Sequence, residues 1–263
     1  GIKVFAIVGK INVGGLIEVP MGIALREIIY MIGGGIKGGK KFKSVQTGGP
    51  SGGCLTEKHL GSSIDYESLT AAGSMMGSGG MIVLDEDDCM VSVAKFYLDF
   101  IVEESCGKCA PCRIGNKRLY ETLERICDGK GTGEDLEKLE NLSSVIKDTS
   151  LCGLGQTSPN PVLSTLNNFQ EEYREHVFDK KCRSGKCRNL LYYVIDDENC
   201  VGCMACVRSC PVNAITGAKK QTHFIHQDKC IKCGACMEKC QFDAISLKSD
   251  YRIGTSVPDT ADI

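Results

Sequence analysis

Two copies of one cysteine motif lie thirty residues apart near the end of the chain. Each copy has the spacing Cys-x2-Cys-x2-Cys-x3-Cys, beginning at Cys200 and at Cys230. In this pattern three thiolates of one copy bind an iron–sulfur cube, and the fourth cysteine binds the cube of the other copy. The spacing therefore predicts two [4Fe–4S] clusters with crossed ligands. The first set is Cys200, Cys203, Cys206 and Cys240, and the second is Cys230, Cys233, Cys236 and Cys210.

The main alternative for this repeat is a pair of zinc ribbons. Zinc ribbons place two cysteine pairs on each ion, whereas the repeat interleaves eight cysteines at cluster spacing. Pro211 follows the last cysteine of the first copy, as the cluster pattern asks, and Gln241 replaces that proline in the second. The replacement leaves every ligand in place, so the pattern favours iron and sulfide.

A third cysteine group lies earlier in the chain. Cys106, Cys109 and Cys112 follow the spacing Cys-x2-Cys-x2-Cys, and Cys152 comes forty residues later. Three closely spaced thiolates and a distant fourth can hold a [4Fe–4S] cluster, and this spacing favours that interpretation. A tetrahedral four-cysteine zinc site is the alternative. Lys108 is one of several nearby cations that could offset the negative charge of a thiolate-bound cluster.

Five of the 17 cysteines remain after these assignments. Cys89 and Cys127 lie on apolar helical faces and are expected to be small core residues, while Cys54 receives no role. Cys182 and Cys187 flank a turn and, together with His223, form a candidate zinc site that clips a linker to the following domain. Free thiols are the alternative for this pair, His226 is the alternative imidazole, and the fourth ligand stays unidentified.

The elements that would position these cysteines change along the chain. Up to about residue 83, β-like runs at 4–8, 16–19 and 81–84 alternate with glycine turns, and a helix is expected within 20–33. This pattern predicts a helix packed on a small mixed sheet.

The stretch from about 88 to 178 has helical periodicity. Four helices with short connections are expected there, which is typical of a bundle. Thr132 begins a capping box, and Ser158 with Pro159 is expected to start the fourth helix.

Composition excludes several classes of protein. The chain is 42% hydrophobic with a formal net charge of −2, which fits neither a disordered nor a polybasic nucleic-acid-binding protein. An odd number of cysteines in 263 residues argues against a disulfide scaffold. We find no signal peptide and no apolar run long enough to enter a membrane as a helix. Because the chain begins with Gly1, it is expected to be a processed or excised piece.

One glycine motif imitates a nucleotide-binding signal. Gly33, Gly35 and Gly38 match the pattern G-x-G-x-x-G, but a predicted helix precedes them where the dinucleotide fold requires a strand. We therefore interpret the motif as a helix-terminating turn. The sequence contains no evident Ser-His-Asp or Cys-His catalytic arrangement.

Four segments carry a family resemblance. Residues 48–54, 73–80, 104–109 and 149–156 closely resemble the flavin-carrying, NADH-oxidising subunit of complex I, and the added ferredoxin pair resembles NAD(P)-linked and electron-bifurcating iron-only hydrogenases. The resemblance implies a multidomain α+β chain. Its parts would be a soluble ligand-binding β-grasp domain (1–84), a helical bundle with one [4Fe–4S] cluster (85–178), a linker with the zinc clip (179–195), a two-cluster ferredoxin domain (196–250) and a loose tail (251–263).

The same resemblance implies a function in electron relay. Family members bind FMN and NAD(P) on a domain upstream of the β-grasp unit, so both cofactors are expected only there. Expected partners are other hydrogenase or dehydrogenase subunits and a ferredoxin-like carrier, in the cytoplasm, without nucleic acid or membrane insertion. The alternatives are a free-standing scaffold that docks a carrier to a separate flavoprotein, and a zinc-only adaptor.

Overall fold

The computed structural model describes residues 1–249, so the predicted tail at 251–263 lies outside the described residues. The chain divides into two compact units, of which the first is Gly1–Lys180 and the second begins at Lys181. Within the described part, no helix combines the length and the apolar character that a membrane span requires.

A five-stranded mixed sheet forms the first part of the first unit. The strand order is β2-β1-β5-β3-β4, with β1 and β5 parallel and the other pairs antiparallel. The short strand β4 was not predicted, since its glycine and cysteine give little β signal. The strands are β1 (Ile2–Gly9), β2 (Gly15–Pro20), β3 (Phe42–Thr47), β4 (Gly53–Thr56) and β5 (Gly80–Asp85).

A helical segment fills one face of this sheet, as the sequence predicts. Its π-helical part runs over Glu27–Ile32, and Leu25, Ile28 and Ile29 are fully buried in the core. The segment ends at Gly33, where a Cβ atom would lie 2.2 Å from Cδ1 of Ile11. The glycine motif therefore terminates a helix and permits a close approach. A second short helix, α1 (Tyr66–Ala71), is also present.

The second part of the first unit is helical. Four longer helices pack in a ring, with α2 and α4 each lying against α3 and α6. Two short helices, α5 and α7, connect and extend this ring. The helices are α2 (Met90–Glu104), α3 (Asn116–Cys127), α4 (Gly133–Thr149), α5 (Gly153–Thr157), α6 (Asn160–Asn168) and α7 (Gln170–Arg174).

Helix boundaries follow the sequence prediction in one case and differ from it in another. Thr132 makes the predicted capping box with Asp135 at the start of α4. Ser158, however, does not cap α6, because its hydroxyl donates to other groups and Pro159 precedes the helix. The predicted fourth helix is also broken at Phe169, whose φ of −130° is not helical.

The second unit contains two small antiparallel pairs of strands and two short helices. Strand β6 pairs with β9, and β7 pairs with β8. One helix follows each cysteine loop, so the sequence repeat is also a structural repeat. The elements are β6 (Tyr192–Ile195), α8 (Ala205–Ser209), β7 (Ile215–Thr216), β8 (Phe224–Ile225), α9 (Ala235–Glu238) and β9 (Ile245–Lys248).

Candidate iron–sulfur and metal centres

The second unit contains two cysteine-lined cavities. Each cavity takes three cysteines from one loop and its fourth from the other copy of the repeat. The first cavity is lined by Cys200, Cys203, Cys206 and Cys240. The second is lined by Cys210, Cys230, Cys233 and Cys236. These are the two crossed sets that the cysteine spacing predicts.

The loops around both cavities repeat the same unusual backbone conformations. Met204 has a φ of 66° and Gly234, thirty residues on, a φ of 88°. Left-handed residues turn a chain tightly and expose successive N–H groups on one side. Two such groups point at sulfur, since Ala214 N donates to Cys210 Sγ at 3.2 Å and Lys232 N donates to Cys230 Sγ at 3.4 Å. The backbone is therefore arranged to stabilise thiolates.

Burial of the cysteines opposes thiolate formation and so bears on what these cavities hold. Desolvation raises the pKa of Cys236 to about 11 and also raises the pKa of Cys206. Thiolates at these positions need compensating positive charge, which iron in a cluster supplies when it is bound. The donor set and the burial thus fit a metal cluster better than free thiols.

The helical ring holds the third cysteine group. Cys106 and Cys109 lie between α2 and a π-helical turn (Pro111–Gly115), Cys112 lies in that turn, and Cys152 precedes α5. Backbone N–H groups of Leu151 and Cys112 donate to Cys109 and lower its pKa. Because Leu151 is adjacent to Cys152, this hydrogen bond brings the distant loop next to the three-cysteine motif.

A buried hydrogen-bond chain supports Cys112 from behind. Asn116 Nδ2 donates to Cys112 Sγ at 3.4 Å, and Ser158 Oγ donates to Asn116 Oδ1 at 2.8 Å. Asn116 and Ser158 are both fully buried, and Ser105 Oγ lies 3.3 Å from the same sulfur. This chain fixes the orientation of the Asn116 amide and keeps an N–H group directed at the thiolate.

We expect Asn116→Leu to lower the reduction potential of a cluster bound at Cys112. The substitution keeps the side-chain size and removes an N–H···S hydrogen bond that favours the more negative, reduced state. The loss is on the order of 1 kcal/mol, a several-fold change in the reduction equilibrium. Potentiometric titration followed by electron paramagnetic resonance (EPR) measures it. Asn141→Leu, on the exposed side of α4, is the control, and an unchanged potential in Asn116→Leu would contradict the expected role.

His223 requires a correction to the sequence prediction. Its imidazole is only 3% exposed and lies beside the first ferredoxin cavity, with Nδ1 3.7 Å from Cys200 Sγ and 3.8 Å from Cys206 Sγ. Burial lowers the pKa of His223. The prediction that His223 joins Cys182 and Cys187 is wrong, because the chain before β8 turns this ring towards the repeat cysteines.

Cys182 and Cys187 are both buried in the second unit, on either side of a turn in which Gly185 N–H donates to the Cys182 carbonyl. In the first unit, Cys89 is buried at the N-terminal end of α2, with its Sγ 3.3 Å from His176 Nε2. The core position expected for Cys89 thus has a buried imidazole as its neighbour.

The orientation of His176 suits a metal ligand. Its Nδ1 lies 2.6 Å from the backbone oxygen of Glu172, so Nδ1–H donates to that carbonyl and Nε2 keeps its lone pair. Nε2 is the atom that faces Cys89.

Two cysteines belong to none of these groups. Cys54 and Cys127 are buried. Desolvation raises the pKa of Cys54 to about 12, which keeps its thiol protonated. Both therefore act as small core residues.

Comparisons with known proteins match both cysteine regions. Residues 92–176 match the NADH-ubiquinone oxidoreductase-F iron–sulfur binding region, and residues 192–241 match the 4Fe-4S dicluster domain. The HndC subunit of an NADP-reducing hydrogenase from Solidesulfovibrio fructosivorans is 65% identical over 85% of this chain and 46% of its own length. The chain is a homologue of these iron–sulfur subunits. An F-type subunit of NADH-quinone oxidoreductase from Rhizobium meliloti is 40% identical over 69% of this chain and 43% of its own length.

A solved structure agrees with these matches. The NAD⁺-reducing [NiFe]-hydrogenase in its H₂-reduced state aligns with a TM-score of 0.60 and 30% identity, covering 67% of this chain and 29% of that one. This homologue thus contains the iron–sulfur binding regions of such subunits. It spans about half the length of the curated relatives it matches.

Proposed function

We propose that this chain carries electrons through three [4Fe–4S] clusters, between a flavin and the redox centres of partner proteins. The single observation that carries the proposal is the crossed grouping of eight cysteines around two matched cavities. Each cluster, when bound, supplies one-electron redox chemistry. The chain's own residues hold the thiolates in place, exclude water from the buried sulfurs and direct N–H groups at them.

The proposed cluster ligands are those of the sequence prediction. The helical-ring cluster would take Cys106, Cys109, Cys112 and Cys152. The ferredoxin clusters would take Cys200, Cys203, Cys206 and Cys240, and Cys230, Cys233, Cys236 and Cys210. The proposal is supported by the hydrogen bonds to Cys109 and Cys112 and by the two cavities.

We also propose a finer division of the chain. The strand order 2-1-5-3-4, with its helical segment on one face, supports a β-grasp domain over 1–84. The helical ring supports a bundle domain over 85–178. The remaining parts would be a linker over 179–195 and a two-cluster ferredoxin domain that begins at 196.

Electron donors and acceptors are proposed from the named relatives. A flavin and NAD(P) would bind on a domain outside this chain, and electrons would pass to other hydrogenase or dehydrogenase subunits or to a ferredoxin-like carrier. A reducing cytoplasm is the proposed setting, since it keeps thiols available for clusters. This part of the proposal rests on the hydrogenase and quinone oxidoreductase relatives.

Metal and sulfide analysis of the anaerobically purified chain tests the cluster proposal. Three [4Fe–4S] clusters contain about twelve iron and twelve sulfide per chain. Dithionite reduction should bleach the broad visible absorption and produce cluster EPR signals. Four or more zinc ions without sulfide would overturn the proposal.

A structural zinc ion is the proposed occupant of a site that includes Cys182 and Cys187. Support comes from the burial of both cysteines within the second unit and from the turn that separates them. Such an ion is closed to substrate and would contribute to folding.

A further inference from the structure

The two ferredoxin cavities are related by a shift of thirty residues, and the shift applies to more than the cysteines. Val201 of the first cavity corresponds to Ile231 of the second, and Ile195 corresponds to Ile225. Each cavity is thus enclosed by equivalent apolar side chains. A polar side chain that lines one cavity and not the other is therefore a local difference between two otherwise equivalent sites.

The main polar difference is an imidazole in place of a phenol. His223 lines the first cavity, and its counterpart thirty residues earlier, Tyr193, lines the second. Tyr193 lies in β6, before the cysteines of the first copy, and His223 lies immediately before β8, ahead of the cysteines of the second copy. Each ring therefore lines the cavity that takes three of its cysteines from the other copy. The wall of the first cavity therefore contains a ring nitrogen at a position where the second cavity has an aromatic ring of carbon atoms.

A second exchange accompanies the first. Met204, whose Sδ lies 3.1 Å from His223 Nε2, corresponds to Gly234 in the other copy. At Gly234 a Cβ atom would lie 2.9 Å from the hydroxyl oxygen of Tyr193. The shorter imidazole is therefore matched with a long thioether, and the longer phenol with no side chain at all. The residues at both positions differ between the two copies, and in each copy the neighbouring residue has a size that suits its ring.

The imidazole is aimed at sulfur. His223 Nδ1 lies 3.7 Å from Cys200 Sγ and 3.8 Å from Cys206 Sγ, and the ring is buried. A thiolate is a stronger acceptor than a thioether, so an Nδ1–H group facing the two cysteines is favoured over an Nε2–H group facing Met204. The phenol hydroxyl of Tyr193 lies at Gly234 instead.

We propose that His223 is a positioning residue that makes the two ferredoxin clusters unequal, by donating an Nδ1–H hydrogen bond to Cys200 and Cys206. This inference rests on the proposed function, since it requires both clusters. Hydrogen bonds to cluster sulfur favour the reduced state and raise the reduction potential. The His223 hydrogen bond therefore raises the reduction potential of the cluster of the first set, and the second cavity has a phenol ring at the equivalent position.

Pulsed EPR of the unmodified chain provides a test that needs no variant. The reduced chain is prepared with ¹⁵N-labelled histidine and examined for hyperfine coupling to a cluster. We expect nitrogen coupling on one of the two ferredoxin-type signals. Absence of histidine nitrogen coupling from every ferredoxin-type signal would overturn the inference.

Potentiometric titration of His223→Phe is the second test. Phenylalanine keeps a ring of similar size and removes the donor. We expect one of the three one-electron steps to move to more negative potential by a tenfold change in its reduction equilibrium, which is about 59 mV for one electron. The step that moves should be the one that carried the nitrogen coupling, and His223→Gln, which retains an N–H donor, should restore part of the shift.

Controls separate this inference from the proposed function. His226→Phe makes the same replacement at a partly exposed histidine and should leave all three steps in place. Iron and sulfide are measured in every sample. If the unmodified chain binds no clusters, the proposed function fails. If clusters are present and His223→Phe titrates like the parent, the role of His223 fails alone.

Discussion

Replacement of Cys112 by alanine should lower the iron content of the anaerobically purified chain from about twelve to about eight atoms. Cys112 is buried, accepts a hydrogen bond from Asn116 and lies beside Ser105. Alanine removes one of four thiolates, and the next cysteine along the chain, Cys127, is buried at the end of α3. Serine would be a weaker test, because its oxygen can bind iron.

The ferredoxin pair should survive this substitution. All eight of its proposed ligands fall within residues 200–240, in the second compact unit. EPR of the reduced variant should therefore retain two interacting clusters and lose the third signal. Cys127→Ala is the matched control, since Cys127 is a buried cysteine that belongs to none of the cysteine groups. Loss of all iron from Cys112→Ala would show that the centres do not load independently.

Sequence spacing predicts the two crossed cysteine sets that line the cavities of the second unit, because cluster motifs place their ligands over short distances. Three thiolates on one loop must be close in sequence, and the repeat supplies the crossed fourth ligand. Strands β1, β2 and β5 were also predictable, since each is an apolar run between turns. The weak points were places where tertiary packing overrides local signals, such as β4 and the break at Phe169.

Two histidines show where local sequence signals were insufficient. His176 and Cys89 are 87 residues apart, and only the packing of α7 and the following turn against the start of α2 brings them together. No periodicity reports such a contact. His223 was assigned from its proximity in sequence to the cysteine loops, whereas the thirty-residue repeat aligns it with Tyr193 and assigns it to a cluster cavity. The thirty-residue repeat therefore indicates where His223 lies, whereas the spacing of the cysteines alone does not.

Glu172→Ala should be the most damaging single substitution outside the cysteine groups. Glu172 is 3% exposed and makes a 2.6 Å ion pair with Lys43, which is 11% exposed. Its second oxygen accepts a hydrogen bond at 3.0 Å from the backbone N–H of Met90, in the first turn of α2. Removal leaves a buried ammonium and an unpaired N–H group, at a cost of about 3–5 kcal/mol.

The position of this pair makes the effect local to α2 and hence measurable. Lys43 lies on β3, so the carboxylate ties the sheet to the helix that leads directly to Cys106. The rate of hydrogen–deuterium exchange in peptides from α2 should rise by the factor that corresponds to this free energy, provided that local opening and closing of the helix are faster than exchange. Glu137→Ala, on an exposed face of α4, should change exchange by no more than about 0.5 kcal/mol.

A double variant distinguishes an ion pair from simple loss of packing. Glu172→Gln keeps an oxygen for Met90 N–H and removes only the charge, so it isolates the effect on Lys43. Combining it with Lys43→Met removes both charges together, and the pair of changes should cost less than the sum of the two single changes. Strict additivity of the two substitutions would mean that Lys43 and Glu172 do not stabilise each other, and that Glu172 acts through the end of α2 alone.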